Sequence, residues 1–293
     1  MIDPVAIWRA FCPASTATSG VAPVQAVRDE QVTVTPEGVR FEVRHGDVYR
    51  DYSDARALIT GPAEMWEDEG NDRWYRWRAM WPVGWVGSYP KWDQPGARSS
   101  AGSSLEWHHE PLGGGVESGS APLYIGADDS FVWLHLVDEA TSEVRQTFSL
   151  APLVRGLWFN FIFHIKWSST VGLIEVWANG VKVMGYAGKT MYPNTRMYPC
   201  AGLYRNGHIG EDAPDGLPGV CYAGGFARGA TRLEVEPVAP VPAVSLKAAA
   251  MLKRFIDQQA DLLDLISMMD ILRSHAQAIY DKNKAILDAG PPW

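Results

Sequence analysis

Apolar side chains alternate with polar ones along most of the chain between residues 31 and 236. The alternation starts at Val32 and Val34 and continues at Val39, Phe41 and Val43. A period of two is typical of strands that bury one face. Further strands are predicted at Trp74–Met80, Ser104–His108, Phe131–Val137, Glu143–Phe148, Trp158–Lys166, Ile174–Ala178, Val181–Gly185, Ala201–Tyr204 and Thr231–Glu236. Turn residues separate these segments and no helical pattern intervenes, so the sequence predicts an all-β sandwich of two sheets.

The strongest local turn signal is the pair Asn179-Gly180, which separates two of these strands. Both central positions of a type I′ turn need a positive φ, which Asn and Gly adopt most readily. The pair therefore predicts a β-hairpin.

One predicted strand combines aromatic and basic residues. Alternation places Trp74, Arg76 and Arg78 on one face and Tyr75 and Trp77 on the other. We expect one of these two sets to lie in the core.

The pattern changes on both sides of the sandwich region, which spans residues 31–236. Residues 1–30 have no clear period and are interpreted as an N-terminal arm or linker with little core of its own. Residues 237–246 form a Pro-rich linker, which is stiff and extended.

Residues 247–289 predict one long helix with a heptad repeat. Two series of mostly apolar residues recur every seven positions: Phe255, Leu262, Met269 and Ala276, and Leu265, Leu272, Ile279 and Ile286. A single helix cannot bury this stripe against itself, so we expect self-association in a coiled coil. The alternative is that the helix folds back on the sandwich. The breadth of the stripe favours three or more strands, and a trimer is the expected oligomer.

Composition and charge narrow the classes of function. The 293 residues carry a net charge of −8, which argues against non-specific nucleic-acid binding. No apolar run reaches the length of about 18 residues that a membrane span needs. The start lacks a basic segment followed by an apolar run, so no secretory signal is expected. Cys12, Cys200 and Cys221 fit neither a disulfide framework nor a zinc site; a Cys200–Cys221 bridge and three reduced thiols are both open.

Residues able to do acid–base or carboxylate chemistry occur in three segments. Glu106 and His108 share one strand face and could form an acid–base pair. Tyr198 and Tyr204, followed by Arg205, flank a glycine and would suit a sugar site. Each of these residues also has a purely structural interpretation, as a surface or hydrogen-bonded side chain.

Arg56 is the third candidate, because a guanidinium can neutralise a substrate carboxylate through paired hydrogen bonds. The loop aromatics Trp85, Tyr89 and Trp92 could form a platform for sugar rings. No phosphate-binding loop or dinucleotide fingerprint is present in the sequence. We expect no cofactor and no metal.

Several of these segments occur together in an order that resembles the jelly-roll polysaccharide lyases, the group of heparin lyase I and the alginate and glucuronan lyases. The resemblance spans about residues 35–236. It rests on these segments: Phe41–Asp47, Arg56-Ala57, Asp72–Trp77, Glu106-Trp107-His108, His164–Ser168, Gly172–Gly180 and Ala201–Arg205. It implies a concanavalin-like jelly roll and the β-elimination of uronate-containing polysaccharides.

The resemblance also implies roles for individual residues. Arg56 corresponds to the arginine that neutralises the uronate carboxylate, His108 to the histidine and Tyr204 to the catalytic tyrosine. Glu106 stands where the family has Gln, Leu58 where it has an acidic residue, and Cys200 where the alginate lyases usually have Lys. These departures are typical of an inactive or re-purposed cleft, or of a less charged substrate.

Three functions are therefore considered. The first is a carbohydrate-binding, lyase-like component of a bacteriophage tail, carried on the virion as a minor tail or receptor-binding protein that recognises a cell-surface polysaccharide. The second is an active polysaccharide lyase that cleaves a uronate-containing glycan. The third is a purely structural tail protein that contacts other tail proteins. The lyase-like sandwich, the Pro-rich linker and the heptad helix together suggest the tail context.

Overall fold

A computed structural model describes residues 3–17, 19–44, 47, 55–90, 98–100, 103–113, 119–205 and 219–236. The chain divides into two units, Met1–Val238 and Ala239–Trp293. The second unit contains the predicted coiled-coil helix and, with the Pro-rich linker, lies outside the described residues. Those two predictions stay predictions.

The first unit is a sandwich of two antiparallel sheets, as the alternation predicted. Numbered along the chain, the seven-stranded sheet has the order β1 (Val32–Thr35), β2 (Gly38–Val43), β15 (Gly219–Gly229), β4 (Asp72–Met80), β11 (Trp158–Lys166), β12 (Gly172–Ala178) and β13 (Val181–Gly188). The six-stranded sheet has the order β10 (Val144–Pro152), β9 (Phe131–Val137), β8 (Leu123–Ala127), β7 (Leu105–Pro111), β14 (Thr195–Arg205) and β3 (Ala55–Thr60). A separate pair consists of β5 (Ser88–Pro90) and β6 (Arg98–Ser100).

Aromatic side chains from the inner faces of the two sheets fill the space between them. Trp107 of the six-stranded sheet has its ring centroid 5.2 Å from Tyr75 and 5.3 Å from Phe163 of the other sheet. Trp77 is also completely buried. Tyr75 and Trp77 are therefore the core set of β4, which leaves Trp74, Arg76 and Arg78 on the outer face.

The predicted hairpin at Asn179-Gly180 is confirmed. Ala178 pairs with Val181, and the two turn residues have φ values of 48° and 85°. Positive φ at both central positions is what a type I′ turn requires.

The N-terminal segment differs from the extended arm that was predicted. Helix α1 (Pro4–Phe11) is capped by Asp3, whose carboxylate accepts hydrogen bonds from the N–H groups of the first turn. Trp8 and Phe11 are completely buried against Phe226. The N-terminal segment therefore contributes to the core. The sequence pattern did not reveal the helix because its eight residues are too few to show a repeating period.

One predicted strand at the C-terminal side is wrong, and some strands were not predicted. Thr231–Glu236 was predicted as a strand, but Arg232–Val235 forms the short helix α2 on the outer face of the seven-stranded sheet, where Val235 packs with Ile162. Strands β8 and β15 were not predicted. Glycines at buried positions interrupt the apolar pattern of β15.

Candidate functional site

The predicted site residues of β3, β7 and β14 lie on one surface, the outer face of the six-stranded sheet. Strand β14 pairs with β3 on one side and with β7 on the other. The register sets Tyr204 opposite Arg56 and Tyr198 opposite His108. Because alternate residues of a strand share a face, Glu106 lies on this same surface. We call this surface the site face.

Arg56 and Tyr204 form a close pair at one end of the site face. The guanidinium carbon of Arg56 lies 4.7 Å from the centroid of the Tyr204 ring, which is a cation–π distance. Arg56 Nη1 also donates a hydrogen bond of 3.2 Å to Gln25 Oε1. The backbone of Gln25 is bonded to Leu58 of β3, so the N-terminal segment helps to position this arginine.

Gly202 brings the backbones of β14 and β3 close together beside this pair. Its φ is 143°, and an added Cβ would lie 2.0 Å from the carbonyl oxygen of Ala57. A side chain at this position would push apart the strands that carry Arg56 and Tyr204. Glycine here therefore supports their contact.

His108 and Tyr198 form a second pair at the other end of the site face. Their ring centroids are 5.6 Å apart and nearly parallel. Tyr198 also stacks on Trp66 at 5.5 Å. Tyr198 and Tyr204 are six positions apart on β14, which corresponds to about 20 Å of strand. His108 therefore does not join Arg56 and Tyr204 at one point, although all three share the face.

The hydrogen bonds of His108 define what its ring can do. The backbone N–H of His109 donates to His108 Nδ1 at 2.8 Å. The same Nδ1 lies 3.2 Å from the His109 carbonyl oxygen. Both contacts involve Nδ1, so Nε2 is the ring nitrogen that can exchange a hydrogen bond with a ligand oxygen.

Glu106 lies between the two pairs and is 8% exposed. Its Oε2 accepts a hydrogen bond of 2.8 Å from Ser103 Oγ. Its strand partners on either side are Cys200 and Tyr124. Burial and the nearby Glu106 raise the pKa of the Cys200 thiol, so this cysteine stays protonated and is not a nucleophile.

Tyr124 and His135 continue the polar row onto β8 and β9. Their ring centroids are 4.7 Å apart, and His135 Nδ1 lies 3.0 Å from Thr147 Oγ1 of β10. Burial, and secondarily Glu106, raise the pKa of Tyr124 to about 12. Burial lowers the pKa of His135 to about 4. Both side chains are therefore neutral hydrogen-bonding groups at neutral pH.

Tyr124 and His135 were not predicted as site residues from the sequence, although a signal for His135 existed. His135 is a polar position in the alternating segment Phe131–Val137, and such positions face outwards. For Tyr124 the signal was weaker, because β8 was not predicted at all.

His135 gives a testable pH dependence of stability. Its folded-state pKa of about 4 lies below the ordinary 6.5, so the unfolded chain binds more protons between these values. The contribution of neutral His135 to the free energy of unfolding is fully present above pH 6.5. It is lost as the pH falls towards 4, by up to about 3 kcal/mol. Replacing His135 by Gln should flatten this part of the curve, as measured by urea unfolding at several pH values. Identical acid slopes for the wild type and the variant would contradict the prediction.

The loop aromatic Trp85 is not the exposed sugar platform that was predicted. It is 3% exposed, and its Nε1 lies 3.4 Å from the carbonyl oxygen of Asp128. It packs against Trp81 in the core, because the loop folds inwards. Trp92 and the side chains of Tyr89 and Arg205 lie outside the described residues, so their proposed contacts with substrate stay predictions.

In the described part of the chain, no three His, Cys, Asp or Glu side chains come together as a set of metal ligands. None of Cys12, Cys200 and Cys221 forms a disulfide. Cys200 lies on the site face, and Cys221 Sγ donates a hydrogen bond of 3.3 Å to the Gly202 carbonyl oxygen. Within the same residues, no helix has the length and apolar character of a membrane span.

Comparisons with known proteins agree with this architecture. An endo-β-1,4-glucuronan lyase from the fungus Trichoderma reesei superposes with a TM-score of 0.55 at 15% identity, over 78% of this chain and 98% of the lyase. An alginate lyase from Zobellia galactanivorans gives a TM-score of 0.47 at 15% identity, over 74% and 85% of the two chains. No curated protein matches the sequence. The polysaccharide lyase family matches residues 15–216, more than half of the sequence, and the chain therefore belongs to this family.

Proposed function

We propose that this protein is a polysaccharide lyase that cleaves a uronate-containing glycan on the site face, at the Arg56–Tyr204 pair. The contact between the Arg56 guanidinium and the Tyr204 ring carries the proposal. A guanidinium can neutralise a carboxylate and a phenol can transfer a proton, and these two side chains are in contact here. Membership of the lyase family supports the same chemistry.

The reaction would be a β-elimination. Arg56 binds the carboxylate of the uronate and reduces the negative charge that develops as the C5 proton leaves. Tyr204, as its phenolate, takes up the C5 proton, and the phenol so formed returns that proton to the leaving oxygen. The C4–O bond breaks, a C4–C5 double bond forms, and the released end carries a hydroxyl group. No water or redox partner is consumed.

The other side chains of the site face would bind neighbouring sugar units. His108 Nε2 can exchange a hydrogen bond with a sugar hydroxyl group, and Tyr198 offers an aromatic surface beside it. The Glu106 carboxylate repels a second uronate. The favoured substrate is therefore a glycan in which uronate units alternate with neutral sugars.

Cleavage can be tested with the full chain and a panel of polymers: glucuronan, alginate and glycans with alternating uronate and neutral units. The unsaturated product absorbs in the ultraviolet, so a rise in absorbance reports elimination. Arg56→Ala should lower the rate by at least about 10²-fold, since it removes a charge from the transition state. Arg232→Ala is the matched control, because Arg232 lies on α2 at the other sheet and pairs with Glu236. Equal rates for the two variants, or no rise with any polymer, would contradict the proposal.

A second candidate is binding of the polysaccharide without cleavage. The Glu106 carboxylate in the middle of the face favours it, because this carboxylate would repel a uronate bound for cleavage beside it. Retained binding of a uronate glycan with no ultraviolet signal would select this alternative.

We further propose that the protein acts on a bacteriophage tail as an oligomer. The support is the heptad series of residues 247–289 and the preceding Pro-rich segment in the sequence. Sedimentation of the full chain should give the mass of a trimer, and mass spectrometry of purified virions should detect it. The proposal is overturned if the full chain is a monomer and is absent from purified virions.

The remaining alternative is a structural tail protein whose sandwich contacts only other tail proteins. Such a protein would bind no glycan.

A further inference from the structure

A pocket of about 580 Å³ lies on the outer face of the seven-stranded sheet, on the opposite side of the sandwich from the site face. Its floor is formed by β4, β11 and β15, and its walls by the end of α1 and the β1–β2 turn. The lining residues are Ala10, Pro13, Thr35, Pro36, Glu37, Gly38, Arg76, Arg78, Asn160 and Gly225. We call it the arginine pocket.

The two arginines have no acidic partner within ion-pair distance among the described residues. Arg76 Nε donates a hydrogen bond of 2.7 Å to the carbonyl oxygen of Gly225, which leaves both terminal nitrogens of Arg76 available. The guanidinium carbon of Arg78 lies 4.8 Å above the ring of Trp158. Stacking occupies one face of a guanidinium and leaves its N–H groups free in the plane.

A bulge in β15 shapes the pocket around these side chains. The pairing register shifts between Gly224 and Ala227, and Gly225 has a φ of 59°. A Cβ added at Gly225 would lie 3.1 Å from Arg78 Cδ. Bulges re-aim backbone groups, and this one directs the Gly225 carbonyl oxygen to Arg76.

The charges in the pocket are unbalanced. Burial, and secondarily the charge of Arg78, lower the pKa of Arg76. Arg76 and Arg78 are two positions apart on the same face of β4, so two like charges lie close together in a chain whose net charge is −8. Glu37 also lines the pocket, but it is exposed and forms no ion pair with either arginine in the described structure. An anion bound between the arginines would remove this repulsion.

We propose that the arginine pocket is a second saccharide site, which binds the acidic group of a sugar unit through Arg76 and Arg78. The Asn160 amide is placed for hydrogen bonds to sugar hydroxyl groups. Ala10, Pro13 and Pro36 give part of the wall an apolar character that suits a sugar ring better than a bare inorganic anion. The ligand class is inferred from the residues that line the arginine pocket. This inference therefore does not depend on cleavage at the Arg56–Tyr204 pair.

Calorimetric titration of the full chain with a glucuronate tetrasaccharide tests the proposal, in an Arg56→Ala background that weakens binding on the site face. The titration should show one remaining binding site per chain. The double substitution Arg76→Gln with Arg78→Gln should raise the Kd of this site by at least about tenfold. The matched control is Lys182→Gln with Arg232→Gln, which removes two cations near Trp177 on the same sheet face and should change affinity less than about twofold.

Three outcomes would overturn the proposal. The first is unchanged affinity after loss of both pocket arginines, provided that thermal unfolding shows the variant folded. The second is an equal loss of affinity in the control, which would indicate non-specific attraction. The third is binding of inorganic sulfate that depends on Arg76 and Arg78 without binding of the tetrasaccharide. Failure of the cleavage assay alone would leave this result unaffected.

Discussion

Replacing Tyr204 by Phe is expected to lower the rate of glycan cleavage by roughly 10²–10⁴-fold while leaving the fold intact. The phenylalanine ring keeps the contact with the Arg56 guanidinium, which lies 4.7 Å from the ring centroid. Only the hydroxyl group that transfers the proton is lost. The measurement is the initial rise of ultraviolet absorbance at saturating polymer, and KM should change much less than kcat.

Tyr198→Phe is the matched control for this substitution. Both tyrosines lie on the same face of β14, but Tyr198 stands beside His108 and Trp66 rather than beside an arginine. We expect a loss in Tyr198→Phe of less than about tenfold, mostly in KM. If Tyr198→Phe abolishes cleavage and Tyr204→Phe does not, the reaction centre lies at the His108 end and the assignment to Arg56 and Tyr204 is wrong.

The sandwich could be predicted because its information is local. Alternation along Trp158–Lys166 is enough to predict that strand. Asn179 and Gly180 readily adopt the positive φ values of the turn, so this pair is enough to predict the hairpin. Alternation also separated Trp74, Arg76 and Arg78 of β4 from Tyr75 and Trp77, but it did not decide which set is buried. In each case the deciding residues are neighbours in the sequence.

The failures have a common cause in tertiary packing. Helix α1 is eight residues long, too short to show a period, and it is held by burial of Trp8 and Phe11 rather than by helix propensity. Arg232–Val235 has an apolar alternation like that of a strand, but it covers Ile162 as a helix. Trp85 stands in a loop that the sequence suggested was exposed, yet the loop folds into the core.

For the candidate site, the sequence supplied the residues but not their distances. Alternation alone places Arg56, His108 and Tyr204 on outward positions of their strands. Their spacing depends on the register of β14 against β3 and β7, and that register is fixed by packing between segments far apart in the chain. This register places Arg56 opposite Tyr204 and places His108 opposite Tyr198.

A buried carboxylate anchors the Tyr198 end of the site face. Glu67 is completely buried, accepts hydrogen bonds of 2.8 Å from Tyr75 Oη and Asn71 Nδ2, and forms an ion pair with Arg228. Its backbone exchanges two hydrogen bonds with Met197, the residue before Tyr198. The carboxylate therefore connects the core of the sandwich to β14.

Replacing Glu67 by Ala is expected to lower the free energy of unfolding by about 3–5 kcal/mol, because Arg228 would keep a partly buried charge without its partner. Urea unfolding at pH 7 measures the loss. Glu69→Ala is the control: Glu69 is exposed, accepts bonds from Ser169 and should cost less than about 1.5 kcal/mol. A Glu67→Ala protein within about 1 kcal/mol of the wild type would show that the cluster adds little. At temperatures where the variant is folded, its cleavage rate should fall less than that of Tyr204→Phe, because Glu67 holds the end of β14 remote from the Arg56–Tyr204 pair.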